Sequence, residues 1–312
     1  MAGGLLLAGI VISLPACRAD LSAGVLGQVE ARQAPVGRRR ARILLDEAHH
    51  NLFAAASGGY RSFVRLVTEQ GYAVTTNKSP FSPAGLATTD ILLIANPNGG
   101  TAAAPVDERA RTAFTDGEMD AVQQWVDGGG ALLLVTDHYP TGAAARALAA
   151  RFGVGLSGGW TDDPPNRRTL PGYGAVFGYL VFSRTTGLIG GHRITDGRDA
   201  SERVRAVATT TGESIEGPPT SAVLLRLSPT AVDWLPPAGA RAAAAAGARD
   251  FNPCPTCGTR PADGRSQAIA VESGRGRVVV VGEMGVLTDY SVRETDNRRF
   301  ALNIVRWLSR EL

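Results

Sequence analysis

The chain has 312 residues, 44% of them hydrophobic and 20% charged, enough for one large α/β domain or two small ones. Its net charge of +3 is small and dispersed, which argues against a nucleic-acid partner.

The N-terminal segment reads as targeting. Leu5 to Ser13 is a short apolar run, too short to span a bilayer comfortably, and it ends in Leu14-Pro15-Ala16-Cys17. Leu-x-Ala-Cys resembles a bacterial lipoprotein processing site, which would leave Cys17 at the new N-terminus for acylation. No Lys or Arg precedes the run, and Pro15 is unusual at its position, so an ordinary cleaved signal peptide is the alternative. Either way the expectation is export to the periplasm or cell envelope, with a membrane anchor through Cys17 in the first case. Residues 18–39 form a polar, Ala- and Gly-containing tether. The cluster Arg38-Arg39-Arg40 with Arg42 is read as a solvated lead-in, since four charges are at the low end of patches that hold anionic lipid.

From residue 40 strands and helices alternate. Arg40–Leu45 reads as a buried strand. A helix follows with Tyr60, Phe63, Val64 and Val67 on one face, stopped by Gly71. Tyr72–Thr76 is a second strand and Asp90–Asn96 a third, the latter apolar enough for burial on both faces. Thr115-Asp116-Gly117-Glu118 spells a capping box for a helix that carries Met119, Val122, Trp125 and Val126 inward. Gly128-Gly129-Gly130 ends it, and Ala131–Val135 is the fourth strand, followed by a small-residue helix from about Gly142 to Phe152. This winding predicts a parallel sheet with helices on both faces.

Beyond it, Ser157–Gly174 reads as a long loop, and Ala175–Phe182, Val204–Thr209 and Ser221–Leu227 as strands. Pro236–Asp263 reads as an exposed insertion. Gln267–Val271 and Arg277–Val281 form a strand pair. The closing helix buries Phe300, Ile304, Trp307 and Leu308. Of the three cysteines, Cys254 and Cys257 form a CxxC with no second ligand pair nearby, in Pro- and Gly-rich loop sequence. A local disulfide in an oxidising compartment fits that context better than zinc or a thioredoxin-like site.

Ionisable residues gather where apolar strands end. LLDEAHHN, residues 44–51, places Asp46, Glu47, His49, His50 and Asn51 just past the first strand, and Thr136-Asp137-His138 follows the fourth. Three of the four histidines stand in such positions. In open parallel sheets, ligands bind beyond the strand carboxyl ends. Glu283, after the Arg277–Val281 strand, is expected on the same rim. The candidate catalytic set is therefore Asp46, His49, His50, Asp137, His138 and Glu283. Adjacent His49 and His50 diverge in direction, so one of them is expected to face the pocket. His192 follows no apolar strand, and its Thr-Asp-Gly neighbours suggest a loop-fixing role.

LLDEAHHN, DILLIANPNGG, FTDGEMDAVQQWVDGGGALLLVTDHYP, GGHRITDG, GRVVVVGEMGVLTD and DNRRFALNIVRWL occur in an order that resembles a bacterial family of unknown function. That family lies within the class I glutamine amidotransferase-like superfamily, related to ThuA-like proteins. The resemblance covers roughly Arg40 to the C-terminus apart from the Ala-rich insertion, and it implies a flavodoxin-like α/β fold with a pocket at the strand carboxyl ends. It brings little chemistry. True amidotransferases use a cysteine nucleophile on a strand-to-helix turn; the comparable turn here has Thr136-Asp137-His138, which argues against thioester glutaminase activity.

Two classes of function stay open. One is a hydrolase-like enzyme in which a histidine oriented by Asp46, Asp137 or Glu283 moves protons, with a divalent metal as a candidate cofactor. The other is a non-catalytic module holding a small molecule, carbohydrate or other cell-envelope ligand. A purely structural role would have the aspartates cap helices and the histidines satisfy loop carbonyls.

Overall fold

Four parallel strands form one side of the central sheet: β1 (Arg42–Asp46), β2 (Ala73–Asn77), β3 (Ile91–Ala95) and β4 (Ala131–Val135). In this computed structural model the spatial order is β2-β1-β3-β4, and the Gly276–Val281 strand adds in parallel to β4. The Ser266–Ser273 strand turns back antiparallel on it, followed by short antiparallel strands at Gly155–Leu156, Ile215–Glu216 and Ala222–Arg226. The structure describes residues 40–52, 54–55, 59–168, 179–237, 256–288 and 295–312. All belong to one compact unit, Ala31–Leu312; the other unit, Met1–Glu30, lies outside them. The targeting segment with Cys17, the tether and Cys254 therefore also lie outside the described residues. Among those described, no helix is long and apolar enough to cross a membrane.

The fold is α/β and flavodoxin-like, and its layers follow from the strand sequences. Every residue of β3 and β4 is buried, so both faces need cover, whereas β2, at the edge, is largely exposed. On one face Leu92, Ile94, Leu132, Leu134, Val278 and Val280 pack with residues of the Asp116–Asp127 and Thr141–Ala150 helices. Alternation sends Leu93, Leu133 and Val279 to the other face. There the Asn297–Leu308 helix meets β4 and the Gly276–Val281 strand and packs on the Arg61–Glu69 helix. Register aligns the carboxyl ends: Leu45 lies opposite Leu93, Ala95 opposite Val135, and Val135 opposite Val281. Asp46, Asn96, Asp137 and Glu283 thus leave the sheet along one rim.

The local signals act as their chemistry requires. Thr115 and Glu118 form the reciprocal capping box. Gly71 and Gly129 take positive φ at +87° and +118° behind their helices.

Three expectations are corrected. The first helix buries Phe63, Leu66 and Val67, with Val64 only half-buried, because positions three and four beyond Phe63 share its face. Tyr60 is buried but precedes the helix. The segment expected as a long loop, Ser157–Gly174, contains strands at Trp160–Asp162 and Arg167–Arg168; of the expected insertion, residues 238–255 lie outside the described residues, and Gly258–Pro261 at its end pairs antiparallel with Val232–Leu235. These build two small three-stranded sheets, Trp160–Asp162 with Val232–Leu235 and Gly258–Pro261, and Arg167–Arg168 with Tyr179–Ser183 and Ala206–Thr209. Strands this short carry too little period-two pattern to show against their Pro and Gly neighbours. Arg40 and Arg42, expected as solvated, pair with Glu311 and Asp90. Cys257 is disulfide-bonded.

Candidate functional site

The rim carries two polar clusters. The first is built on His49. Its Nδ1 lies 3.0 and 2.9 Å from the two Asp46 carboxylate oxygens, and its Nε2 lies 2.8 Å from Glu118 Oε1. The ring is buried between Phe81 and Phe114, with both centroids 4.7 Å away. Burial alone would lower the imidazole pKa, but the two carboxylates outweigh it and the net shift is upward. Glu118 moves the other way. Burial opposes its ionisation, yet hydrogen bonds from Thr115, His49 and the Phe81 amide bring its pKa below the usual range. The net upward shift favours the imidazolium form of His49, held between the two carboxyl groups.

Asp46 is saturated as well. It accepts from the Ala48 amide and from the side-chain amides of Asn51 and Asn77, at 3.2 Å each. Asn51 also donates to the carbonyl of Ala95 at 2.9 Å, and Glu47 accepts from the Ala55 amide. Of the adjacent histidines it is His49 that turns inward; His50 is exposed with φ at +47°.

The second cluster stands where β4 and the Gly276–Val281 strand end. Asp137 is buried and accepts from the His138 amide at 2.6 Å. The His138 side chain is 40% exposed; its Nε2 is 3.6 Å from Asp137 Oδ1, its Nδ1 is 2.8 Å from the Tyr139 carbonyl, and its ring stacks on Trp160 at 5.7 Å. Glu283, fully buried, accepts from the Thr210 hydroxyl at 2.9 Å through Oε1; the backbone amides of Gly285 and Thr210 also favour its ionised form, but neither lies within hydrogen-bonding geometry of Oε2, which has no partner among the described residues. Burial first, then the neighbouring Asp137 charge, pushes the Glu283 pKa up to about 8. Burial likewise raises Asp137, against the opposing pull of His138.

A third carboxyl joins from a residue that sequence reasoning missed. Glu213 is fully buried, accepts from Thr136 Oγ1 at 2.6 Å and from the Gly158 amide at 2.7 Å, and is pushed by burial up to about 8. The Glu213 amide donates to the Gly282 carbonyl at 2.7 Å, and a Cβ on Gly212 would overlap that carbonyl and Glu283. Two Gly-Glu dipeptides, 212–213 and 282–283, thus pack directly together. That shared dipeptide was the one signal available in the sequence. Glu118 was legible only as a helix cap; its second role, as partner of His49, depends on the approach of β1.

The six candidates accordingly divide. Asp46 and His49 belong to the first cluster, Asp137, His138 and Glu283 to the second, and His50 to neither. Among the described residues no hydrogen bond or ion pair joins the two clusters, and no group of three or more His, Cys, Asp or Glu side chains is placed to hold a metal ion. His192 does fix its loop, its Nδ1 accepting from the Ile194 amide at 3.2 Å.

Comparison with known proteins places this geometry in context. Among solved structures, the N-terminal domain of mmIFT52 superposes with a TM-score of 0.58 at 13% identity, covering 86% of this chain and 97% of that one, a likeness of fold alone. A ThuA-like protein from Bacteroides uniformis gives a TM-score of 0.44 at 14% identity, covering 89% of this chain and 94% of that one. A GMP synthase-like protein from Thermoplasma acidophilum gives 0.45 at 10% identity, covering 88% and 96%. Among curated proteins none matches the chain. The profile of one family, Domain of unknown function (DUF4350), matches residues 53–305, and the chain belongs to that family.

Proposed function

We propose that the chain is a hydrolase working by general acid–base chemistry at the ends of β4 and the Gly276–Val281 strand, on a small-molecule or carbohydrate substrate. One observation carries this reading: Glu283, a buried carboxyl that holds its proton at neutral pH and has one oxygen unpartnered, sits beside Asp137, which in turn flanks the solvent-facing His138. A buried carboxyl that keeps its proton and a solvent-facing imidazole nearby can serve as proton donor and proton acceptor in one reaction. His138, its Nδ1 held by the Tyr139 carbonyl and its ring stacked on Trp160, takes a proton from water at Nε2 as the water oxygen attacks the substrate. Glu283 gives its proton to the departing oxygen or nitrogen. The first cluster plays no chemical part, because both nitrogens of His49 are already occupied.

A panel of nitrophenyl glycosides, nitrophenyl esters and aminoacyl anilides tests it. Turnover of one class is expected, lost in both His138→Ala and Glu283→Gln and retained in His50→Ala. Absence of turnover together with saturable binding to a glycan array would favour the second reading, a cell-envelope binding module.

Export and anchoring through Cys17 complete the proposal. The Leu-x-Ala-Cys sequence supports it, as does the disulfide at Cys257, a bond maintained in oxidising compartments. Palmitate labelling of cells expressing the native chain and Cys17→Ser is the check: label on the native chain alone is expected, and label on neither contradicts the anchor.

A further inference from the structure

The described residues line an open cavity of about 700 Å³ at the opposite end of the sheet, where the strands begin. That volume lies within the range of small-molecule sites. Its walls come from the entries to β1 and β3, the end of the Asp116–Asp127 helix and the chain end from Leu308 to Glu311. One side is an aromatic surface: the half-buried Trp125 indole lies so close over Gly130 that any Cβ there would overlap the ring.

The charges around this cavity do not cancel. Arg40 pairs with Glu311, Arg42 with Asp90, and Arg198 with Glu202. Among the described residues the guanidinium of Arg310, on the rim, donates only to the carbonyl oxygen of Arg275, and that of Arg275, just outside the lining, only to the carbonyl oxygen of Gly128. Next to them, Arg277 reaches the Trp307 carbonyl, and its Nε is buried without a partner. Burial and then the Arg310 charge depress the Arg277 pKa, outweighing the opposing pull of Glu272. Arg40 Nε is a further buried donor without a partner. Guanidinium groups with unused donors beside an aromatic wall suit an anion attached to a flat apolar body.

We propose that this cavity is a second binding site, for an organic anion whose planar body lies on Trp125 and whose carboxylate or phosphate meets Arg310, with Arg275, bonded to the Gly128 carbonyl behind the wall, adding its charge. It is independent of the acid–base cluster, from which the length of the strands separates it.

Arg310 offers a clean variant. Its φ is +62°, a conformation glycine adopts without strain, so Arg310→Gly removes the guanidinium while leaving the backbone at ease. Calorimetry on the full chain would compare 2-naphthoate, 2-naphthyl phosphate and uncharged 2-naphthol. One or both anions should bind with 1:1 stoichiometry, at least tenfold tighter than naphthol and more weakly as salt rises; the tighter of the two identifies the head group. Arg310→Gly should weaken the anion about tenfold at an unchanged or higher melting temperature, Arg275→Gln should also weaken it, and His138→Ala should leave it unaltered. The proposal is overturned if neither anion binds, if naphthol binds equally well, if both arginine variants retain full affinity, or if His138→Ala abolishes binding.

Discussion

The same rim solves the burial of charge in two opposite ways. At the end of β1 each buried ion has an opposite charge against it: His49 lies between Asp46 and Glu118, and the remaining Asp46 contacts are amides. At the ends of β4 and the Gly276–Val281 strand, carboxyl groups gather on carboxyl groups, and Glu283 keeps an oxygen without a partner. A satisfied network fixes structure, whereas an unsatisfied one costs stability and is retained where chemistry needs it. By that criterion the first cluster is architecture and the second is the place to look for function.

Breaking the paired cluster should have the largest effect. His49→Ala leaves two buried carboxylates facing each other and should cost about 3–5 kcal/mol, read by urea unfolding at pH 6. Because the folded pKa of His49 is raised, its contribution is fully present below the unfolded value of about 6.5 and is lost as pH rises through the folded value. The native-minus-variant difference should therefore shrink at alkaline pH. A loss under 1 kcal/mol at pH 6 would mean the triad is not structural.

Gly142→Ala comes next. Alanine ordinarily favours a helix, but here a Cβ would overlap the buried Glu213 carboxyl. A destabilisation of about 1–3 kcal/mol is expected in place of the usual gain, measured by the same unfolding assay. A gain would remove Glu213 from its place against the helix.

His50→Ala should do least, since the side chain is exposed: a change within about 0.5 kcal/mol. A loss comparable to that of His49→Ala would erase the distinction between the two histidines.

Much of this was legible in the sequence, and the reasons differ by residue. β3 and β4 announce themselves because five-residue apolar runs need cover on both faces. Asp46 and His49 could be placed because they adjoin β1 and meet locally. Glu118 could be read only as a cap, since its second bond spans 69 positions. Glu213 escaped because the strand after it has two residues and no pattern. Expecting a single candidate set was reasonable from strand ends alone. Which of those residues bond to one another depends on partners such as Glu118 and Glu213 that approach from other elements.

The central claim, that the carboxyl cluster is held at a cost to stability, is tested most directly by the pH profile of unfolding free energy for the native chain and Glu283→Gln. The folded pKa of Glu283 is about 8 and the unfolded one about 4.5, so below pH 4.5 the group is neutral in both states. Between these values the unfolded chain releases the proton first, and stability falls as pH rises. Glu283→Gln should match the native chain near pH 4, lose part of that slope, and be the more stable by roughly 1–3 kcal/mol at pH 8–9. Parallel profiles, or a variant less stable than the native chain at pH 8–9, would contradict the claim.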